Sequence, residues 1–257
     1  AATRGKPIIN LIPVEANEDI KAVLPVREFV EDAYVLMATK FGTVKKTELM
    51  QYAKIRSTGI IAVNLDDGDD LIDAKIVHDT DNVVLATRNG MSIHFSSTDV
   101  RPMGRATRGV RGILLTSQDA VVSLAVVPAP TGGQTADDSE APEPEQDDDS
   151  AEMVAYQGVA LLCICENGFG KATPPSAYRF QNRGGKGVIA IKTTARNGKV
   201  VALRAVEPDG EVLIVTTGGT LLRTLVRDIR VIGRNTQGVK LINVGDGEKV
   251  VSFEHFV

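Results

Sequence analysis

Residues 180–191, FQNRGGKGVIAI, set a cationic, glycine-rich loop at the head of an apolar run. Gln181, Asn182, Arg183, Gly184, Gly185, Lys186 and Gly187 combine groups that suit a phosphate. A guanidinium can form paired hydrogen bonds, an ammonium adds a point charge, and glycine leaves backbone N–H groups open to close approach. Four further segments share this make-up: ATRGK (2–6), KIRSTG (54–59), RPMGRATRGVRG (101–112) and RVIGRNTQG (230–238). With the residues just before residue 181 they supply Arg4, Lys6, Arg56, Arg101, Arg105, Arg108, Arg111, Arg179, Arg230 and Arg234. Neighbouring apolar runs add Lys45, Lys46, Lys171 and Arg223. One such loop is ordinarily a solvated turn; five in register form a basic track for a polyanion.

Residue types that would support covalent chemistry form no pattern. GFGKAT (168–173) has the end of a phosphate-binding loop, but Cys165 stands where its first glycine belongs and no helix follows. Cys163 and Cys165 read as buried thiols, and His78, His94 and His255 share no ligand spacing. DDGDD (66–70) lacks the downstream glutamate of a calcium loop and reads as a turn. The expectation is a domain with no catalytic residues, no metal and no cofactor of its own.

The elements that must position these loops are short β-rich runs separated by Gly/Asn/Asp turns; no helical periodicity lasts ten residues. The apolar runs starting at Ile20, Leu71, Val121, Val200 and Val250 recur at intervals of 51, 50, 79 and 50 residues. Glycines 5, 59, 112, 187 and 238 keep nearly the same period, and so do the turn glycines of MATKFGTVKKT, LATRNGMSIHF, CICENGFGKAT and VTTGGTLLRTL. A period near 50 residues with four strands is one propeller blade, a unit that buries its faces only by stacking on neighbours. The fold class is therefore all-β: an open or spiral propeller-like single domain over 1–257, with full repeats at about 18–67, 68–117, 118–196 and 197–246. In the first repeat DIKAVLPV, YVLMATK, TVKKT and GIIAVNL are the four strands, and Pro25 marks an edge or distortion in the first of them. The end segments 1–17 and 247–257 hold PIINLIPV and VVSFEHFV, which together would complete a further blade.

The long interval spans an acidic insertion, residues 128–152. Nine carboxylates between Asp137 and Glu152, with no Lys or Arg among them, move the formal net charge from +5 for the rest of the chain to −4 for the whole. Its charge and prolines predict disorder. The two cysteines fit a reducing compartment, and no apolar run is long enough to span a bilayer. Only 4% of residues are aromatic, which disfavours single-strand binding by stacking.

Gln181–Gly187 resembles the Q-x-R-G-G-x-G box of the DNA gyrase A C-terminal domain. GRATRGVRGI (104–113), IGRNTQGVKLI (232–242) and MATKFGTVKKT (37–47) are also similar to that family's blades. The resemblance implies a β-pinwheel, a propeller variant that exchanges strands between blades. It also implies a noncatalytic role: double-stranded DNA wraps around the basic rim so that an A2B2 holoenzyme of gyrase A and gyrase B introduces negative supercoils. ATP and Mg would be used elsewhere in that holoenzyme, in the cytoplasm on the nucleoid. The family box usually lies in the first of six blades, whereas here it lies in the third full repeat. The corresponding domain of topoisomerase IV, whose box is degenerate, and a protein-binding propeller scaffold are the alternatives.

Overall fold

The computed structural model describes residues 14, 18–54, 56, 59–129, 156 and 158–256. Arg4, Lys6, PIINLIPV up to residue 13, and the acidic insertion from residue 130 onward lie outside the described residues. Four antiparallel hairpins organise the rest: β1 (Tyr34–Thr39) with β2 (Thr43–Glu48), β4 (Asp81–Thr87) with β5 (Met91–Ser96), β8 (Ala160–Cys165) with β9 (Phe169–Thr173), and β12 (Glu211–Thr216) with β13 (Leu221–Leu225). Each turn closes through a glycine N–H, as where Gly42 donates to the Thr39 carbonyl at 3.0 Å and Gly168 to that of Cys165 at 3.1 Å.

A third strand joins each hairpin on its inner side: β3 (Leu71–Val77), β7 (Val121–Pro128), β11 (Val200–Val206) and β15 (Val250–Phe256). All four pairings carry a register shift at the same end, as between Ala86 and Thr87. These inner strands converge around an axial cavity of about 280 Å³ lined by Lys75, Leu124, Arg204 and Glu254 among others. Neighbouring sheets are tied at their turns, where Val121, Val200 and Val250 donate N–H bonds to the carbonyls of Lys40, Arg88 and Glu166 at 2.8–3.0 Å.

The core lies between sheets. Val83 and Leu85 of β4 pack with Leu36, Val44 and Phe95, while Val84 and Ala86 pack with Leu161, Cys163 and Tyr178. Alternate residues of one strand thus face opposite interfaces, which is why ALLCIC and VVLAT are apolar at successive positions. Free thiols Cys163 and Cys165 are buried here. The middle sheets bury both faces only because both neighbours are present.

The outermost strand of a sheet comes from the following hairpin's connection. Short strands β6 (Val110–Arg111), β10 (Val188–Ile189) and β14 (Val239–Lys240) pair with β2, β5 and β9. The chain leaves one hairpin and returns to cover the free edge of the hairpin before it. The sheets accordingly cut across the four sequence units.

Three expectations about strands need correction. Residues 19–26 form no strand: Pro25 lacks a ladder donor, and the described residues hold no preceding hairpin with which to pair. Residues 59–65 likewise lack a hairpin edge to cover and are irregular. VVSFEHF starts no further blade; it is β15, which completes the sheet of β12. Among the described residues that last sheet has three strands, and its outer strand β13 leaves Leu221 58% exposed.

Glycines at the head of β6, β10 and β14 make the return possible. Gly187 has φ +75°, and a Cβ there would stand 2.1 Å from the Ser92 carbonyl oxygen. Gly109 and Gly238 press in the same way on Val44 and Gly170. Gly187→Ala should therefore destabilise the fold by about 2 kcal/mol or more in denaturant unfolding, from strain plus clash. Gly104→Ala, at a position with nothing within 4 Å, should stay within about 0.5 kcal/mol; equal effects at the two sites would refute this reading.

Candidate nucleic-acid interface

The basic loops at 101–112, 179–187 and 230–238 are each folded against the outer strand of the preceding sheet by the same bonds. At its entry the loop runs parallel to that strand, through bridges Lys46–Pro102, His94–Phe180 and Ala172–Val231. Met103, Gln181 and Ile232 donate N–H bonds to Lys46, His94 and Ala172 at 2.9–3.0 Å. The chain then turns and comes back antiparallel as β6, β10 or β14. Residues 104–108, 182–186 and 233–237 are the intervening turns, three copies of one small structure on the outer perimeter.

These turns divide the expected site residues into two groups. Arg56, Arg101, Arg108, Arg111, Asn182, Lys186 and Arg230 are exposed, and Arg179 is partly so. Arg111 comes up against the box, since a Cβ on Gly184 would lie 3.7 Å from Arg111 Nε. The preceding loop thus contributes a guanidinium to the box surface. Arg108 leans to Asp66 at 3.0 Å. Arg223 is exposed on the open strand β13, paired with Glu211. Lys240 was not among the expected residues. It is exposed at the β14 position equivalent to Arg111 in β6, and aligning the repeats on Gly109 and Gly238 would have revealed it.

The second group faces inward. Arg105, Arg183 and Gln181 are half-buried and Arg234 is 5% exposed. The box glycines serve the fold as well: Gly184 takes φ +83°, and Gly187 meets the strand beneath it. Gln181 points its Oε1 toward Gly185 from below, 3.3 Å from where a Cβ would stand.

Lys45, Lys46 and Lys171, expected beside the loops on the rim, are placed beneath them at 0–1% exposure. Lys45 Nζ donates to the carbonyls of Ala62 (2.6 Å) and Arg105 (2.7 Å) and to Thr47 Oγ1 (3.0 Å). At the equivalent position Lys171 Nζ reaches the carbonyls of Gly233 (2.7 Å) and Arg234, and Thr236 Oγ1 at 3.0 Å. Lys46 binds Asp79 at 2.7 Å and the Ser97 carbonyl at 2.9 Å, with its Nζ 4.5 Å from the Tyr34 ring centre. The physical reason is that a tight turn aims carbonyls at the core. Buried acceptors without donors are costly, and an ammonium supplies three donors at once. In the sheet between, Ile93 holds the lysine position, and Gln181 stands where the other two loops have the apolar Met103 or Ile232, its Nε2 buried without a hydrogen-bond partner among the described residues.

Burial, and after it the charge of Arg105, pushes Lys45 down to about 8. Its unfolded value is near 10.4. Between these values the unfolded chain binds more protons than the folded one, so stability rises with pH. Unfolding free energy measured relative to Lys45→Met should therefore be flat below about pH 7.5 and climb from about pH 8 to 10. A flat difference across the whole range would contradict the assignment.

Comparison with known proteins accords with this geometry. A family model described as the DNA gyrase C-terminal domain, beta-propeller, matches residues 33–78, 81–128, 160–207 and 210–255, each a hairpin with its inner strand. The DNA gyrase A protein of Salmonella typhimurium is 43% identical over 251 residues, covering 98% of this chain and 25% of that protein. Its Haemophilus influenzae counterpart is 41% identical over 265 residues, covering 98% of this chain and 28% of its own length. The chain thus spans about a quarter of the length of these relatives. A solved DNA gyrase A C-terminal domain superposes with TM-score 0.78 at 25% identity, over 99% of this chain and 76% of that one. A topoisomerase IV C-terminal domain shares the fold, with TM-score 0.79 at 21% identity over 98% of this chain and 70% of that one. Through these matches the chain belongs to the family of DNA gyrase A C-terminal domains.

Proposed function

We propose that this domain binds double-stranded DNA along its outer perimeter and bends it around the sheets. The observation that carries this reading is the recurrence of exposed cations at equivalent outermost positions of consecutive loops: Arg101, Arg108 and Arg111, then Lys186, then Arg230 and Lys240. Contacts of this kind go to the phosphate backbone, so binding is independent of sequence and falls steeply with salt. Bending 20–30 base pairs sharply costs on the order of 1–6 kcal/mol, and the return must come from several loops engaging one duplex. A single basic loop could hold DNA but could not bend it.

In the whole protein the wrapped segment would be presented to the N-terminal part of gyrase A and to gyrase B, where ATP and Mg are used. The domain itself needs no catalytic group or cofactor for this task. Box residues Asn182 and Lys186, with Arg111, form its central contact, and Arg4 and Lys6 extend the same pattern in sequence.

Nicked plasmid sealed by ligase in the presence of the chain should show a linking-number shift that grows with protein concentration. Arg108→Ala, Arg111→Ala, Lys186→Ala and Lys240→Ala together should abolish that shift. They should also lower the slope of log binding constant against log salt by about 0.9 per lost phosphate contact. Absence of DNA binding at low salt would refute the reading and favour a protein-binding scaffold.

A further inference from the structure

The second arginine of each loop occupies one position of the repeat: Arg105, Arg183 and Arg234. Its donors point away from the rim. Arg183 Nε donates to the Asp99 carbonyl at 2.8 Å and Nη1 to the Arg111 carbonyl at 3.0 Å. Arg234 Nε donates to the Ala177 carbonyl, and Nη1 to that of Ile189 at 2.6 Å. Arg105 Nη1 donates to the Ile61 carbonyl at 3.1 Å. Ile61, Arg111 and Ile189 are equivalent residues of the repeat, as are Asp99 and Ala177.

The acceptors share one meaning. Asp99 and Arg111 flank the basic loop that precedes Arg183, and Ala177 and Ile189 flank the one that precedes Arg234. One guanidinium therefore grips both ends of the previous loop. A backbone bond repeats alongside: Asn64 N–H to Thr107, Leu114 to Gly185 and Lys192 to Thr236, at 2.8–3.0 Å. At the box, Gly184 N–H also binds the Gly112 carbonyl at 2.6 Å. The loops are thus clamped to one another around the perimeter, and the strand exchange alone does not require this.

We infer that Arg105, Arg183 and Arg234 are positioning residues that fix the spacing between successive DNA-contacting loops, and that the box arginine Arg183 is not a phosphate ligand. The inference deepens the proposed function and rests on it for its DNA-related part. A guanidinium suits the task because its planar fork presents diverging donors to two carbonyls, which a single ammonium cannot span. Carbonyl partners are neutral, so the clamp leaves the positive charge in place beneath the rim. Its loss should let each loop bind phosphate as before while the path that joins the loops becomes slack.

The test compares the 257-residue chain with Arg183→Lys, which keeps the charge, and with Lys186→Ala. Amide hydrogen exchange without DNA is read first. Arg183→Lys should speed exchange at Leu114 and Gly184 by about tenfold or more, and Lys186→Ala should leave both unchanged. With DNA, Arg183→Lys should keep the salt slope of the parent chain yet at least halve its linking-number shift per bound chain. Lys186→Ala should lower the slope by about 0.9. Unchanged exchange at Leu114 in Arg183→Lys overturns the clamp. Arg183→Gln, which removes the charge, completes the series: a slope lowered as in Lys186→Ala, with exchange untouched, would make Arg183 a phosphate ligand and overturn the inference. If Arg183→Lys fails to fold, Arg105→Lys, which loses one bond at its junction, is read at Asn64 by the same criteria. If no chain binds DNA, the proposed function fails while the exchange data still decide the clamp.

Discussion

An unpaired strand edge is the constraint from which the rest of this structure follows. The first three hairpins present the outer edges of β2, β5 and β9, rows of backbone groups that would otherwise template aggregation. The chain covers each edge with two residues borrowed from beyond the next hairpin. To reach it, the connection must cross the junction between sheets, press glycine against the strand, and turn sharply, above a buried lysine at two of the three edges. The basic loops are by-products of that crossing, which is why they fall on the perimeter and share one shape.

This origin explains a division of labour within the box. A loop tied to a strand beneath it and to the loop before it has few free groups. In Gln181–Gly187, the glycines, the glutamine and the arginine all have partners or close packing in the fold, which leaves Asn182 and Lys186 facing outward. Arg111 fills the surface from the neighbouring loop. The contact face for a polyanion is therefore composite, and its geometry depends on how adjacent sheets meet. That dependence suits a surface whose task is to impose a path on a stiff ligand, because spacing errors between loops translate directly into lost contacts.

Much of this was legible in the sequence. A period near 50 residues, carried by three sets of markers, revealed the blade and its four pieces. Gln181–Gly187 with GRATRGVRGI and IGRNTQGVKLI pointed to the family. Direction was harder. TVKKT is a strand buried on both sides, yet its lysines look like any surface cations, because nothing local announces that Ala62 and Arg105 will turn carbonyls toward Lys45. The same blindness assigned DIKAVLPV and GIIAVNL to strands: their patterns are right, but a strand needs an edge, and edges are a property of the neighbouring hairpin. Arg183 and Lys186 are three residues apart and chemically alike, and only the path of the loop separates an inward guanidinium from an outward ammonium.

Everything said of the perimeter depends on the outer loops, taken in order, tracing the path of one duplex. Photo-crosslinking from single cysteines would map that path, since Cys163 and Cys165 are fully buried and would not react. Arg56→Cys, Arg108→Cys, Lys186→Cys and Lys240→Cys would each carry the probe, with Lys75→Cys at the axial cavity as the contrast. Crosslinks are expected from all four perimeter sites, at positions that advance along the same DNA fragment, and none from residue 75. Crosslinking confined to residue 75, or to one loop alone, would contradict a wrapped path.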